Sequence, residues 1–233
     1  MRAHQFIPEI EAIPGWQYSG GKESLQDYNN INPSVLKPLP GNSGFAYAVE
    51  TAGYLTRILI VDPKKNPTDA IAYLELTNDN LPIRGKPLQV ETITVDEDYR
   101  GQGLAKALYN IVLTVMKRPL VAGSAQRPGG RRNWLSLTQT PGIDVKGVVQ
   151  LSNNQLDSTV TMPNPRHAKN VEKNIDQVME LGGQFLGKDK YFSYWAFDVV
   201  PGRGQLAPHI KNSLSRIYGY DTPTTLVATW SGR

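Results

Sequence analysis

The chain of 233 residues contains no cysteine. Disulfide scaffolds, cysteine nucleophiles and thiolate metal centres are thereby excluded. The redox compartment stays open, since a reducing cytosol is compatible with zero cysteines without requiring them. Long apolar runs are missing too: residues 58–61 and 111–115 are among the longest, far short of the roughly 18 residues that a membrane-spanning helix needs. The opening Met1-Arg2-Ala3-His4-Gln5, followed by Pro8, Glu9 and Glu11, lacks the apolar centre of a secretory signal. A cytoplasmic protein with no membrane partner is expected. Histidine is scarce, and His4, His167 and His209 stand far apart with no partner at ligand spacing, so no metal is expected.

What the chain does have is an ordinary globular balance, 39% hydrophobic and 20% charged, cut by 17 prolines and 21 glycines into what must be short elements. Its net charge of +4 is too mild to identify a partner, but the distribution is uneven. From residue 99 to 143 there are seven basic side chains, Arg100, Lys106, Lys117, Arg118, Arg127, Arg131 and Arg132, and no acidic one, so the rest of the chain is net acidic. Such a window suits a polyanion, or is simply a solvated basic face. Trp16, Trp134, Trp195 and Trp230 read as packing groups rather than base-stacking platforms, because only Trp134 sits among the arginines.

Residues 1–43, punctuated by Pro8, Pro14, Pro33, Pro38 and Pro40, read as an irregular arm with one short helix near 24–29. Period-2 runs at 45–50, 54–61 and 70–76 then read as three strands joined by turns, and a fourth run comes at 88–95. Strict alternation puts Leu88, Val90 and Thr92 on one face of that fourth strand and Gln89, Glu91, Ile93 and Val95 on the other. After the acidic turn Asp96-Glu97-Asp98 the period becomes helical, with Leu104, Leu108, Ile111, Val112 and Val115 on one stripe. A buried strand at 120–125, a helix from Arg131 to about Thr138, a helix through Val171, Ile175 and Val178, and late strands at 191–200 and 225–230 with a helical pattern between them complete the reading. One α/β domain over 44–233 is the economical answer.

Chemistry concentrates where the fourth strand meets the first long helix, in Val95-Asp-Glu-Asp-Tyr-Arg100-Gly101-Gln102-Gly103-Leu104-Ala105. Glycines at a helix mouth let the backbone approach a ligand, and the unpaired first N–H groups, backed by the helix dipole, favour an anion such as a diphosphate. A dinucleotide fingerprint fails because its third glycine position is Lys106 and no acid occurs about 20 residues on. No Gly-x-x-x-x-Gly-Lys run exists either, which excludes a Walker loop.

The run Arg100-Gly101-Gln102-Gly103-Leu104-Ala105, after a strand ending at Val95, resembles the acetyl-CoA-binding motif of the GNAT superfamily of N-acetyltransferases, Arg or Gln, two residues, Gly, one residue, Gly or Ala. The resemblance extends over about 45–125, and more weakly to Asn133 and the late strands. It implies a mixed, mostly antiparallel sheet flanked by helices, with the irregular arm at 1–43 and an insertion at 142–190 after the fifth strand, and acetyl-CoA as cosubstrate without a metal. The strand backbone of Ile93, Thr94 and Val95 would hold the acetyl carbonyl and pantetheine arm, the turn from Arg100 to Ala105 the diphosphate, and Asn133 would touch the cofactor. Glu91, four residues before Val95, is the candidate base, with Glu75 in reserve. Many members carry a tyrosine acid shortly after the asparagine; here the run is Trp134-Leu-Ser-Leu-Thr-Gln-Thr-Pro141, without one.

The expected function is acetyl transfer to a primary amine of a small molecule or protein. Two alternatives stand beside it: a fold of this type kept as a structural or interaction protein of a bacteriophage, since Met1-Arg-Ala-His-Gln-Phe-Ile7 resembles the start of small marine-phage proteins, and a nucleic-acid-binding module using Arg118, Arg127, Arg131 and Arg132. A nucleic-acid partner is not the expectation. The acceptor and the oligomeric state are not legible.

Overall fold

The computed structural model describes Leu25 and residues 28–123, 128–152, 171–188, 192–218 and 224–232. The opening segment 1–7, Trp16, Arg127 and His167 lie outside these residues, as do residues 24, 26 and 27 of the helix expected at 24–29. A ten-stranded sheet holds the described chain together, formed by β1 (Lys37–Pro38), β2 (Ala46–Ala52), β3 (Leu55–Asp62), β4 (Asn66–Asn78), β5 (Leu88–Val95), β6 (Leu120–Val121), β7 (Ile143–Ser152), β8 (Gln184–Lys188), β9 (Phe192–Asp198) and β10 (Thr224–Trp230). Its order is β1-β2-β3-β4-β5-β6-β10-β7-β9-β8. Only β5 and β6 run parallel among these pairs, and the helix α1 (Leu104–Asn110) lies in the crossover between them. Three further helices are α2 (Pro128–Leu137), α3 (Val171–Glu180) and α4 (Pro208–Tyr218).

Period-2 alternation explains how one strand feeds two cores. In β3, Ile58 and Ile60 face α1 while Leu59 and Val61 face the opposite side, so the run is buried almost throughout. The helix side gathers Ile58, Ile60, Leu74, Leu76, Leu88 and Val90 beneath Leu104, Leu108, Ile111 and Val112, and burying each such aliphatic side chain contributes about 1.5–3 kcal/mol. On the other side, Leu25, Ile31 and Tyr28 pack over Ala46, Leu59, Ala70 and Tyr73. Val149, Leu151, Trp195 and Phe197 of the far half of the sheet are covered by Val178 of α3 and Ile210 and Leu214 of α4.

Several expectations are corrected. Val115 is 47% exposed instead of completing the stripe, because residues Ile111–Val115 form a π turn, with Met116 N–H donating to the Ile111 carbonyl, and the wider turn rotates the end of the helix off the core. Of the strand expected at 120–125, β6 takes up Leu120 and Val121 and ends before residues 122 and 123, while residues 124 and 125 lie outside the described residues. The segment expected to begin an insertion supplies β7, which pairs with β10 over seven residues and with β9 over seven more, so it is part of the sheet. β8 is a further strand that the residue pattern does not announce. In the arm, residues 28–31 lie along the start of β4, where Ala70 N–H donates to the Tyr28 carbonyl and Ile31 N–H to that of Thr68. No described helix is long and apolar enough to cross a membrane.

Just past β6, Gly123 touches β5: a Cβ there would stand 2.3 Å from the Val90 carbonyl oxygen. Gly123→Ala is therefore expected to destabilise the protein by about 1–3 kcal/mol, since two backbones must part to admit one methyl. Urea unfolding of the two proteins checks it.

Candidate active site

β5 and β6 pair at two positions only, Leu88 with Leu120 and Gln89 with Val121. β5 then continues for six residues to Val95 with no described strand on that side. Its other edge is filled by β4, where Asp96 N–H donates to the Ile71 carbonyl and Ala72 and Val95 lie opposite each other. Backbone groups alternate between the two edges of a strand, so this register turns the N–H and C=O groups of Ile93 and Val95 away from β4, into the splay. Thr94 bonds toward β4, opposite Tyr73.

A bulge adjusts the side chains at the same place. The register slips between Glu75 and Leu76, so that Leu76 faces Val90 and Glu75 faces Thr92, with Glu91 as the extra residue. The extra residue inverts the alternation beyond it: Leu88 and Val90 face the α1 side, and so do Ile93 and Val95. Glu91 therefore does not share a face with Ile93 and Val95, contrary to the strict alternation read from the sequence. It is exposed on the opposite face, where its Oε1 accepts a hydrogen bond from Thr77 Oγ1 at 2.7 Å. Only Val90 separates Glu91 from Gln89, the last residue of β5 paired with β6, so Glu91 stands at the vertex of the splay.

Glu75 lies on the same outward face and is already engaged. Its Oε2 accepts from Arg57 Nε at 3.0 Å and from the Tyr28 hydroxyl at 3.2 Å. Tyr28 also stacks on Tyr73, with centroids 4.5 Å apart, and lies 5.4 Å beneath the Arg57 guanidinium. Burial, and next the negative Glu75, push the Tyr28 phenol up to about 12, so it stays a donor at neutral pH. Of the two carboxylates, Glu91 is the one with no cation paired to it among the described residues.

The glycine turn comes directly after β5. Asp96 caps the 3₁₀ turn Glu97–Tyr99 through its side chain, and the exposed Arg100 meets Glu97 at 3.5 Å. Gly101 (φ 81°) and Gly103 (φ 79°) both take the left-handed region, and a Cβ at either would meet nothing within 4 Å. Gly103 caps α1, and its carbonyl accepts the Ala107 N–H. The amides of Leu104, Ala105 and Lys106 come before the first residue that can bond within the helix, so they face outward with the dipole behind them. Leu104 is plugged into the core, while Arg100, Gly101, Gln102 and Gly103 are exposed, so the loop presents backbone and not side chains to the space above it. Splay and cradle fit acetyl-CoA: one offers strand amides to a carbonyl, the other offers helix-mouth amides to a diphosphate.

Asn133 is half-buried on α2 beside Trp134, which is 1% exposed and packs on Tyr109 at 5.9 Å. Tyr109 is no substitute for the missing tyrosine acid, because its phenol is buried in the core and burial pushes its pKa far up. In the basic window, Arg118 is spent on structure: Nε donates to the Lys86 carbonyl at 2.7 Å and Nη2 to Asn78 at 3.0 Å. Lys106, Lys117, Arg131 and Arg132 make no ion pair among the described residues. No described group of three or more acidic or histidine side chains could hold a metal. Tyr28, Arg57, Asp62, Lys65 and Tyr99 carry no signal in the sequence, since their partners lie as far as 47 and 37 residues away.

Comparison with known proteins finds a family match over part of the chain. The acetyltransferase (GNAT) family model matches residues 43–124, the segment that runs from just before β2 to just past β6 and contains both splay and cradle. The mixed, mostly antiparallel sheet with flanking helices is a GNAT fold. Among solved structures, the chain is similar to a GNAT-family acetyltransferase of Staphylococcus aureus Mu50, at 13% identity, covering 61% of this chain and 67% of that one with a TM-score of 0.29. Escherichia coli ElaA gives 14% identity, 63% and 70% coverage and a TM-score of 0.29. Campylobacter jejuni N-acetyltransferase PseH, solved in complex with acetyl coenzyme A, gives 10% identity, 64% and 71% coverage and a TM-score of 0.23. At these scores none of the three positions a ligand on this chain. No curated protein matches it.

The positive φ of Gly103 makes a prediction that needs no ligand. Gly103→Ala finds open space for its methyl but a left-handed backbone, and is expected to cost about 1–2 kcal/mol. Thermal unfolding without cofactor checks it.

Proposed function

We propose that the chain is an acetyl-CoA-dependent N-acetyltransferase acting on a primary amine of a small molecule or a protein. The observation that carries this reading is the succession, between residues 93 and 106, of strand amides freed by the β5–β6 splay and helix-mouth amides freed by the Gly101–Gly103 turn. Acetyl-CoA supplies the activated acetyl group when bound. The chain supplies placement: the Arg100, Gly101, Gln102, Gly103, Leu104 and Ala105 backbone holds the diphosphate, and Asn133 on α2 is assigned to the cofactor as well. The N–H groups of Ile93 and Val95 polarise the acetyl carbonyl, and Thr94 keeps that strand in register with β4. Donors fixed in advance where negative charge develops are worth several kcal/mol in such reactions.

Glu91 is the proposed base. It sits at the vertex of the splay, exposed, with Thr77 as its one hydrogen-bond partner among the described residues, so it can accept a proton from an incoming amine. Glu75 is the poorer candidate because Arg57 and Tyr28 already occupy one of its oxygens. With no tyrosine in the run 134–141 after Asn133, the leaving thiolate takes its proton from another source, which water can be.

Calorimetric titration with acetyl-CoA tests the reading. Saturable binding is expected, with Gly103→Glu abolishing it in a folded protein, because a carboxylate placed over the cradle repels the diphosphate and fills its space. A wild type whose melting temperature is unmoved by millimolar acetyl-CoA would falsify the enzyme reading.

Once an amine or peptide screen supplies an acceptor, Glu91→Gln is expected to lower turnover by about 10²-fold, the scale of general-base catalysis, with acetyl-CoA affinity nearly unchanged. An unaltered pH–rate profile in that variant removes Glu91 from the mechanism.

A further inference from the structure

The phosphate loop has few attachments of its own. Arg100, Gly101, Gln102 and Gly103 are exposed, the Arg100–Glu97 ion pair is a surface contact, and both glycines stand in open space. Such a loop must be held at its ends. The downstream end is Leu104, 2% exposed in the helix-side core. The upstream end is Tyr99, whose side chain meets two other parts of the sheet. Its hydroxyl donates to Asp62 Oδ2 at 3.2 Å, its ring packs edge-on to Phe45 with centroids 6.1 Å apart, and the Lys65 ammonium stands 4.8 Å from its ring centroid.

Asp62 is suited to be the fixed end of this clamp. It is among the few buried polar residues, at 9% exposure, and its other carboxylate oxygen accepts the Lys64 N–H while its carbonyl accepts the Lys65 N–H, so the β3–β4 turn is wound around it. Tyr99 in turn closes the 3₁₀ turn, its N–H donating to the Asp96 carbonyl. The phenol thus joins the segment before the cradle to a turn 37 residues upstream. Hydrogen bonding to Tyr99 raises the Lys65 ammonium above its ordinary range, as expected for a cation held against the phenol.

We infer that Tyr99, locked by Asp62 and Lys65 of the β3–β4 turn, is a positioning residue that preorganises the Arg100–Gly103 loop for the diphosphate of CoA. The inference rests on the proposed CoA site but goes beyond it, because it gives binding strength to residues that never touch the ligand. A loop competent only a fraction of the time weakens apparent affinity by that fraction, while leaving the reaction of the bound complex unchanged.

Two measurements on the whole protein test it. In the absence of ligand, hydrogen exchange of the amides from 100 to 105 is expected to speed up about tenfold in Tyr99→Phe, while those of β3 and β5 keep wild-type rates. Calorimetry with CoA is expected to show about a tenfold weaker Kd in the same variant. Lys65→Met, at an exposed site where the fold is not at risk, is expected to move both readouts the same way by about twofold, the scale of an exposed cation–π contact. Tyr54→Phe, 71% exposed on another turn, serves as the unchanged control. Wild-type exchange rates and CoA affinity in both Tyr99→Phe and Lys65→Met overturn the inference, as does faster exchange spread over the whole sheet. If the wild type binds no CoA, the proposed function fails instead, and the ligand-free exchange still decides whether Tyr99 pins the loop.

Discussion

A strand that loses its neighbour partway along keeps the neighbour's half of its hydrogen-bonding groups. Among the described residues that is the situation of β5 beyond Gln89, where the ladder to β6 ends after two residues, and N–H and C=O groups left over at such a place demand partners. The other features of the site depend on this edge. The bulge at Glu91 keeps Ile93 and Val95 in the core while their backbone faces the splay, and Gly123 lets the chain after β6 pass close to Val90. The cradle then begins a short turn after β5 ends, so strand and helix mouth present their free amides in succession.

Electrostatics is arranged with little burial of charge. The outward face carries two carboxylates with different surroundings, Glu75 held by Arg57 and Tyr28 and Glu91 held by a threonine. Exposed ion pairs such as Arg100–Glu97 contribute little to stability, so the positive character near the turn comes mostly from backbone dipoles and from lysine and arginine side chains. The window without acids is thus not one surface: Arg118 braces the loop before β5, whereas Lys106 and Arg100 flank the cradle.

Local pattern carries most of the architecture between residues 45 and 115. The strands at 88–95 and 55–62 and the glycine turn are legible because alternation, apolar content and punctuation all agree there. The illegible features depend on partners distant in sequence. A bulge is a property of two strands, so nothing within residues 88–95 reveals that Glu91 turns away from Ile93. β6 reads as a longer strand because residues 120–122 are apolar, and Ala122 N–H does still donate to the Leu226 carbonyl of β10, although the regular ladder ends at Val121. β7 reads as insertion when Ile143–Ser152 is judged against the length of a family core and not by its own alternation, which places Val145 and Val149 in cores on the helix-bearing side and Val148 on the other. The π turn moves Val115 out of a stripe that a period of 3.6 would keep.

The position of β10 has a consequence for how the molecule is made. It lies between β6 and β7 and is the last described strand in the chain. During synthesis, β2 to β6 and β7 to β9 therefore emerge as two half-sheets, each with a raw inner edge, and neither can reach the other until residue 230 has left the ribosome. The joining strand carries pairings to residues more than seventy positions earlier, the kind of contact that forms late and slowly. A nascent chain paused before β10 has emerged exposes two apolar strand edges at once, which makes chaperone capture, or pairing with a neighbouring chain, compete with the joining of the two half-sheets.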